Sequence, residues 1–185
     1  MKRSFIWPGL LLLFLPSCYF LSLQPLYSPD TLRFSRELLG IWESDEEKLF
    51  WHFTEESDDA YHLILSGLKE DEIAEEHYIA HLVELGEETF LDLMPRNVEP
   101  MALSTALPMH AVAKVDIESE EVHFMPYDAR YFRKLAREGA IELPFQVVSS
   151  DSILVLAAST TRMQELVQAY SRDPKALPDT LVLKR

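Results

Sequence analysis

The chain has one cysteine in 185 residues, Cys18. An intramolecular disulfide is therefore excluded. A zinc site built on thiolates goes with it, because structural zinc draws on several cysteines. Glycine is scarce, with five in all, and no glycine-rich phosphate loop is present, which argues against the nucleotide-binding folds. Cations are also few: 17 Lys and Arg stand against 31 Asp and Glu, for a formal charge of −14. A chain this acidic is repelled by nucleic acid and by anionic head groups, and neither is an expected partner. The acidic residues are dispersed among apolar segments, so they describe a solvated surface and not a disordered tail.

What is present begins at the N-terminus. Met1-Lys2-Arg3 is a short basic start, and an apolar stretch runs from Phe5 to Leu15. That stretch is too short to span a hydrocarbon core, which takes roughly 20 residues, and has the length of a signal-peptide core. Leu15-Pro16-Ser17-Cys18 follows, with a branched apolar residue at −3 and a small one at −1. This resembles the bacterial lipobox. The resemblance implies cleavage after residue 17 and acylation of Cys18, and two or more acyl chains anchor a protein stably where one does so only marginally. An ordinary secretory signal, or a membrane anchor with an incidental cysteine, are the other readings. Loss of Lys2 and Arg3 with the signal takes the charge from −14 to −16 over the remaining 168 residues, enough for one domain with a real core. Tyr19, and not Asp, follows the cysteine, which in the enteric sorting rule favours the outer membrane where there is one. Residues 18–37 carry the lipidated cysteine and, with two prolines in Tyr19 to Asp30, are expected to be a tether. The single domain is expected over 38–185.

Within the domain, period-two apolar segments between polar turns predict strands at 39–43, 49–54, 61–65, 76–85, 89–94, 110–117 and 122–125. A meander this dense closes into a barrel to remove its edges. Residues 95–108 hold Pro95, Pro100 and Pro108 and are expected to be a long loop on the barrel or over its mouth. Asp128 is placed to cap a helix ending at Gly139. Thr161-Arg162-Met163-Gln164 fits a capping box, and Met163, Leu166, Val167 and Tyr170 form an amphipathic stripe. Short strands are expected at 145–148, 153–156 and 180–183. The fold class is mainly β (α+β): an antiparallel meander closing into a small barrel, with two short helices in the C-terminal half.

Gly40-Ile41-Trp42 opens the first strand and resembles the Gly-x-Trp motif of lipocalins and similar up-and-down barrels. In those the tryptophan plugs the closed end, and a late helix precedes a short strand, as Met163–Tyr170 precedes Thr180–Leu183 here. The chain more closely resembles a family of uncharacterised bacterial lipoproteins, through the lipidated cysteine, Ser22-Leu23-Gln24-Pro25-Leu26-Tyr27, Leu39-Gly40-Ile41-Trp42 and Phe90-Leu91-Asp92-Leu93-Met94-Pro95. That resemblance implies a location and a compact domain. It implies no activity and supplies no catalytic residues.

Candidate chemistry is sparse. The histidines are His52, His62, His77, His81, His110 and His123. In a strand, His77 and His81 share a face but stand about 13 Å apart, too far to share a metal. His52 and His62 can pair across a hairpin. No metal site and no cofactor is expected. There is no Gly-x-Ser-x-Gly, and the acidic turns do not follow the EF-hand spacing. Asp92 stands out, flanked by Phe90, Leu91, Leu93 and Met94. A charge in such a strand is expected on the solvent face, the alternative being a buried, hydrogen-bonded carboxylate. Trp51, Tyr61 and Tyr78 are candidates to line a ligand cavity, or simply to fill the core. These readings describe a non-enzymatic envelope lipoprotein, structural or partner-binding. The alternative is a carrier or sensor of a small apolar ligand inside the barrel.

Overall fold

The computed structural model describes residues 19–44, 49–69, 72–96, 109–142, 144–148 and 153–185. Strands β3 (Gly40–Ser44), β4 (Leu49–Ser57), β5 (Ala60–Lys69), β6 (Glu72–Leu85), β7 (Glu88–Pro95), β8 (His110–Ile117) and β9 (Glu121–Pro126) follow one another as antiparallel neighbours. β12 (Leu181–Lys184) pairs with both β9 and β3. The result is a closed antiparallel barrel of eight strands, lipocalin-like in form. Closure leaves none of these strands as a free edge.

Side-chain alternation splits the apolar residues between two cores. The inner face supplies Trp42, Trp51, Phe53, Tyr61, Leu63, Tyr78, Leu91, Val115 and Phe124 to a cluster inside the barrel. The outer face of β6–β8 supplies Val83, Phe90 and Val112 to a second cluster, completed by the C-terminal half. Its covering elements include α1 (Ala129–Arg137) and α2 (Thr160–Tyr170), which contribute Phe132, Met163, Leu166 and Val167. Asp128 caps α1 by accepting from the Arg130 N–H, and Gly139, at φ 69°, follows its end, as expected. α2 starts earlier than its capping-box pattern suggests: Ser159 is the N-cap and accepts from the Arg162 N–H.

The expected tether is corrected by the structure. β1 (Tyr19–Ser22) is a strand of the main sheet. It pairs antiparallel with the first residues of β8, where β9 has diverged, and parallel with β11 (Ile153–Leu156), which in turn pairs with β10 (Phe145–Val148). Phe20, Leu21, Ser22 and Leu26 are all buried. A tether must be soluble on every side, and this segment is covered on both faces. β2 (Leu32–Arg33) then pairs with β6.

One end of the barrel is shut by a short 3-10 turn, Arg36–Leu38, and Trp42. The Trp42 indole N–H donates to the Leu38 carbonyl at 2.9 Å. The Arg185 guanidinium lies 4.6 Å above the ring and donates to the carbonyls of Glu37 and Leu39. Gly40, at φ 125°, makes the bend between turn and strand that an L side chain rarely adopts. Arg185, just after β12, thereby ties that strand to the 3-10 plug. β3, β5 and β7 all end at the opposite end of the barrel. Most of the loop expected over 95–108 lies outside the described residues; Pro95 itself ends β7.

Candidate functional site

Trp51 on β4, Tyr61 on β5 and Tyr78 on β6 all point into the barrel and are buried. Alternation dictates this: each shares a face with inward apolar residues two positions away, Leu49 and Phe53 for Trp51, Leu63 for Tyr61 and Ala80 for Tyr78. Their polar atoms are used differently. The Tyr61 hydroxyl donates to the Ser35 carbonyl and accepts from the Ser35 N–H at 2.6 Å. Burial pushes this phenol up to about 12, and Phe34 stacks on the ring at 4.6 Å. Tyr61 is thus bound to the segment that closes the barrel. Tyr78 donates to the Glu76 carboxylate. The Trp51 indole N–H and the Ser44 hydroxyl are buried, and neither has a hydrogen-bond partner among the described residues. Ser44 and Trp51 are diagonal neighbours on the inner faces of β3 and β4, because Trp42 faces Trp51 and Ser44 faces Leu49.

The aromatic rings also cross the interior. Trp51 on β4 meets Phe124 on β9, across the intervening β3 and β12, with ring centroids 5.0 Å apart. Phe53 stands between Trp51 and Tyr61 at 6.3 and 6.1 Å. At these levels the barrel is filled by side chains. A cleft of about 550 Å³ opens outside the shut end, between Phe34 and Ser35 and the rim residues Glu84, Glu87, Asp116 and Glu118. Arg33, on its wall, is held by Glu84.

Asp92 is the second locality, and the solvent-face expectation for it is corrected: it is fully buried. It points outward from the barrel, but there the outer face of β7 is covered by the chain that follows β1. One carboxylate oxygen accepts from the Leu26 N–H at 2.7 Å, and the other lies 2.6 Å from His110 Nδ1. A carboxylate oxygen accepts, so the imidazole presents Nδ1–H to it. His81 faces Asp92 across β6–β7, its Nδ1 buried without a partner, and Tyr27 lies over the imidazole with centroids 4.1 Å apart. Burial lowers the His81 pKa, with Asp92 acting in the opposite sense. Burial, then the Asp92 charge, raises the Tyr27 phenol. Ser22 faces His110 across β1–β8, but its hydroxyl accepts from the Gln24 N–H. The cluster therefore fastens the strap Gln24–Ser28 to the barrel wall. Its sequence signal was the uninterrupted apolar run around Asp92, which marks a strand covered on both faces.

The remaining histidines do not assemble a centre. His77 and His81 both lie on β6, as a strand and not a helix. His62 does not pair with His52: the register puts Thr54 opposite His62, and its Nε2 lies 2.9 Å from His77 Nδ1 instead. Burial first, and Arg96 next, lower the His62 pKa. Among the described residues no group of three or more His, Cys, Asp or Glu is placed to hold a metal ion. Cys18 lies outside the described residues. The fold defines the class as a closed eight-stranded antiparallel barrel. No family model, curated protein or solved structure matches the chain.

Proposed function

We propose that the chain is a bacterial envelope lipoprotein, anchored through acyl chains on Cys18, whose barrel works without catalysis as a structural or partner-binding module. The observation that carries this reading is in the sequence: a basic start, a short apolar stretch and Leu15-Pro16-Ser17-Cys18 have the order of a processed leader, and described residues soon after Cys18, such as Phe20 and Leu21, are buried. Residues before Cys18 have the charge and hydropathy of a processed leader, while residues after it are packed into the core. Tyr19 in place of Asp after Cys18 favours the outer membrane in an organism that has one. Aromatic contact across the barrel favours a scaffold over a carrier, since Trp51, Tyr61 and Tyr78 pack into the core. The test is metabolic labelling with a fatty acid, followed by membrane fractionation. The native chain takes up label and sediments with membranes; Cys18→Ser does neither. A Cys18→Ser chain that stays in the membrane fraction would overturn the anchor.

The carrier reading keeps one specific support, the unpartnered Trp51 indole and Ser44 hydroxyl inside the barrel. A small apolar molecule bearing one hydrogen-bond acceptor would satisfy the indole. Native mass spectrometry of the purified chain decides it: a co-purifying mass that is lost in Trp51→Phe supports carriage, and a bare protein mass opposes it.

A further inference from the structure

The cleft of about 550 Å³ beside the plug has the size of pockets that hold ligands, and barrel mouths are a usual place for them. The strap at Arg33, Phe34 and Ser35 forms one wall; the ends of β6 and β8 and the start of β7 form the other. Its floor is apolar. Leu82 and Val115 belong to the interior cluster, and Phe34 and Ile117 pack against that cluster. Its rim is acidic, with Glu84, Glu87, Asp116 and Glu118, and Arg33 is the one cation among its lining residues. Alternation along β8 gives this layering, because Val115 and Ile117 share the inner face and Asp116 takes the other. The cations nearby are already engaged. Arg33 is held by Glu84 at 3.1 Å. Arg172 reaches Glu87 and Glu88, and Glu88 also holds Lys114. His123, opposite Asp116 on β9, lies 3.5 Å from Glu121. Arg36 and Glu37, on the adjoining 3-10 turn, are of opposite sign and do not line the cleft. Asp116 and Glu118 are exposed and enter no ion pair among the described residues.

We infer that this cleft docks a basic segment of a protein partner, with one lysine or arginine stem on the apolar floor and its cation among the rim carboxylates. The inference rests on the partner-binding reading and supplies the chemistry of the partner. A long-stemmed cation fits because its methylenes cover apolar surface while its charge stays at the wet rim. The acidic lining repels an anionic partner. It is spread over β6, the β6–β7 turn and β8, and so offers a counter-charge to more than one cation. A polypeptide delivers such cations in succession. At an exposed rim the charges set approach and specificity, and the buried stem adds affinity.

The test titrates the processed chain, purified from its membrane, into a fluorescent peptide of alternating lysine and alanine and reads anisotropy. Saturable binding is expected. Asp116→Asn with Glu118→Gln is expected to weaken it, by up to about fivefold for each carboxylate removed. Glu43→Gln with Glu75→Gln makes the same change of charge at exposed positions of β3 and β6 away from the cleft. That pair is expected to leave the affinity within about twofold. A peptide with ornithine for lysine keeps every charge and shortens each stem by one methylene. It is expected to bind about fourfold more weakly. Equal losses in the two double variants would overturn the inference, as would an absence of saturable binding or an ornithine peptide held as well as the lysine one. Spermidine bound as tightly as the peptide would assign the cleft to a free amine and overturn the protein partner. Far-UV circular dichroism establishes that the variants are folded, and the ornithine comparison on the unsubstituted chain decides the matter without them. Acyl labelling of Cys18 is read separately. Label without peptide binding sinks the docking cleft alone; the full contrast on an unacylated chain sinks the lipoprotein reading alone.

Discussion

Replacing Asp92 by alanine is expected to be among the most damaging single changes in the protein. The carboxylate accepts from the Leu26 N–H at 2.7 Å and from His110 Nδ1 at 2.6 Å, in a fully buried position. Alanine strands both donors away from water. Each unsatisfied buried donor costs about 1–3 kcal/mol, and breaking a buried pair with an ionisable partner about 3–5 kcal/mol. A loss of about 3–5 kcal/mol follows, a large part of a typical domain stability of about 5–15 kcal/mol. With a urea dependence of about 2 kcal/mol per molar, the unfolding midpoint falls by about 2 M. Asp92→Asn keeps one acceptor oxygen and is expected to lose about 1–3 kcal/mol. The Leu26 amide gives a local reading: its hydrogen-exchange protection drops in both variants. A surface position would shift stability by under about 0.5 kcal/mol. An Asp92→Ala midpoint that close to the parent would refute the buried-strap account.

Three other outcomes follow from named contacts. Tyr61→Phe removes both bonds to Ser35 and is expected to lower stability by about 1–3 kcal/mol in thermal melts; an unchanged melt would separate the 3-10 plug from the barrel wall. Trp51→Phe deletes an indole N–H that has no partner among the described residues and shrinks a buried ring, so a large-to-small cost of about 1–3 kcal/mol is expected in thermal melts; a loss well beyond that would point to an interior ligand or water. His81 has a lowered pKa in the folded state, so the unfolded chain binds its proton first as pH falls. Its contribution is complete above the unfolded value near 6.5 and is lost as pH falls toward the folded value. Stability measured between neutral and mildly acidic pH should therefore decline less steeply in His81→Gln. An identical slope would remove His81 from the acid response.

The legible part of the fold was what alternates. β3 to β9 and β12 each bury one face against the barrel core, and period-two patterning marks that arrangement directly. Asp128 and Gly139 bounded α1 for the same local reason, a cap and a left-handed residue. What escaped was long-range. β1 pairs with residues more than a hundred positions away, in β11, and its sequence, Tyr-Phe-Leu-Ser, is too short to show a period. Pro25 and Pro29 then gave the following segment the look of a linker, although Leu26 is completely buried. Asp92 was misplaced because one-sided burial was assumed for a strand covered on both faces. Trp51, Tyr61 and Tyr78 all belong to the interior cluster, but sequence could not tell a lining from a filling. That distinction depends on rings meeting across the barrel, as Trp51 and Phe124 do.

The central claim is tested most directly by the mass of the mature N-terminal peptide, measured on protein extracted from membranes without a thiol-blocking step. The account predicts a peptide that starts at Cys18 and carries a diacylglyceryl group on its sulfur. A peptide that retains residues 1–17, or that begins elsewhere with an unmodified Cys18, would contradict it.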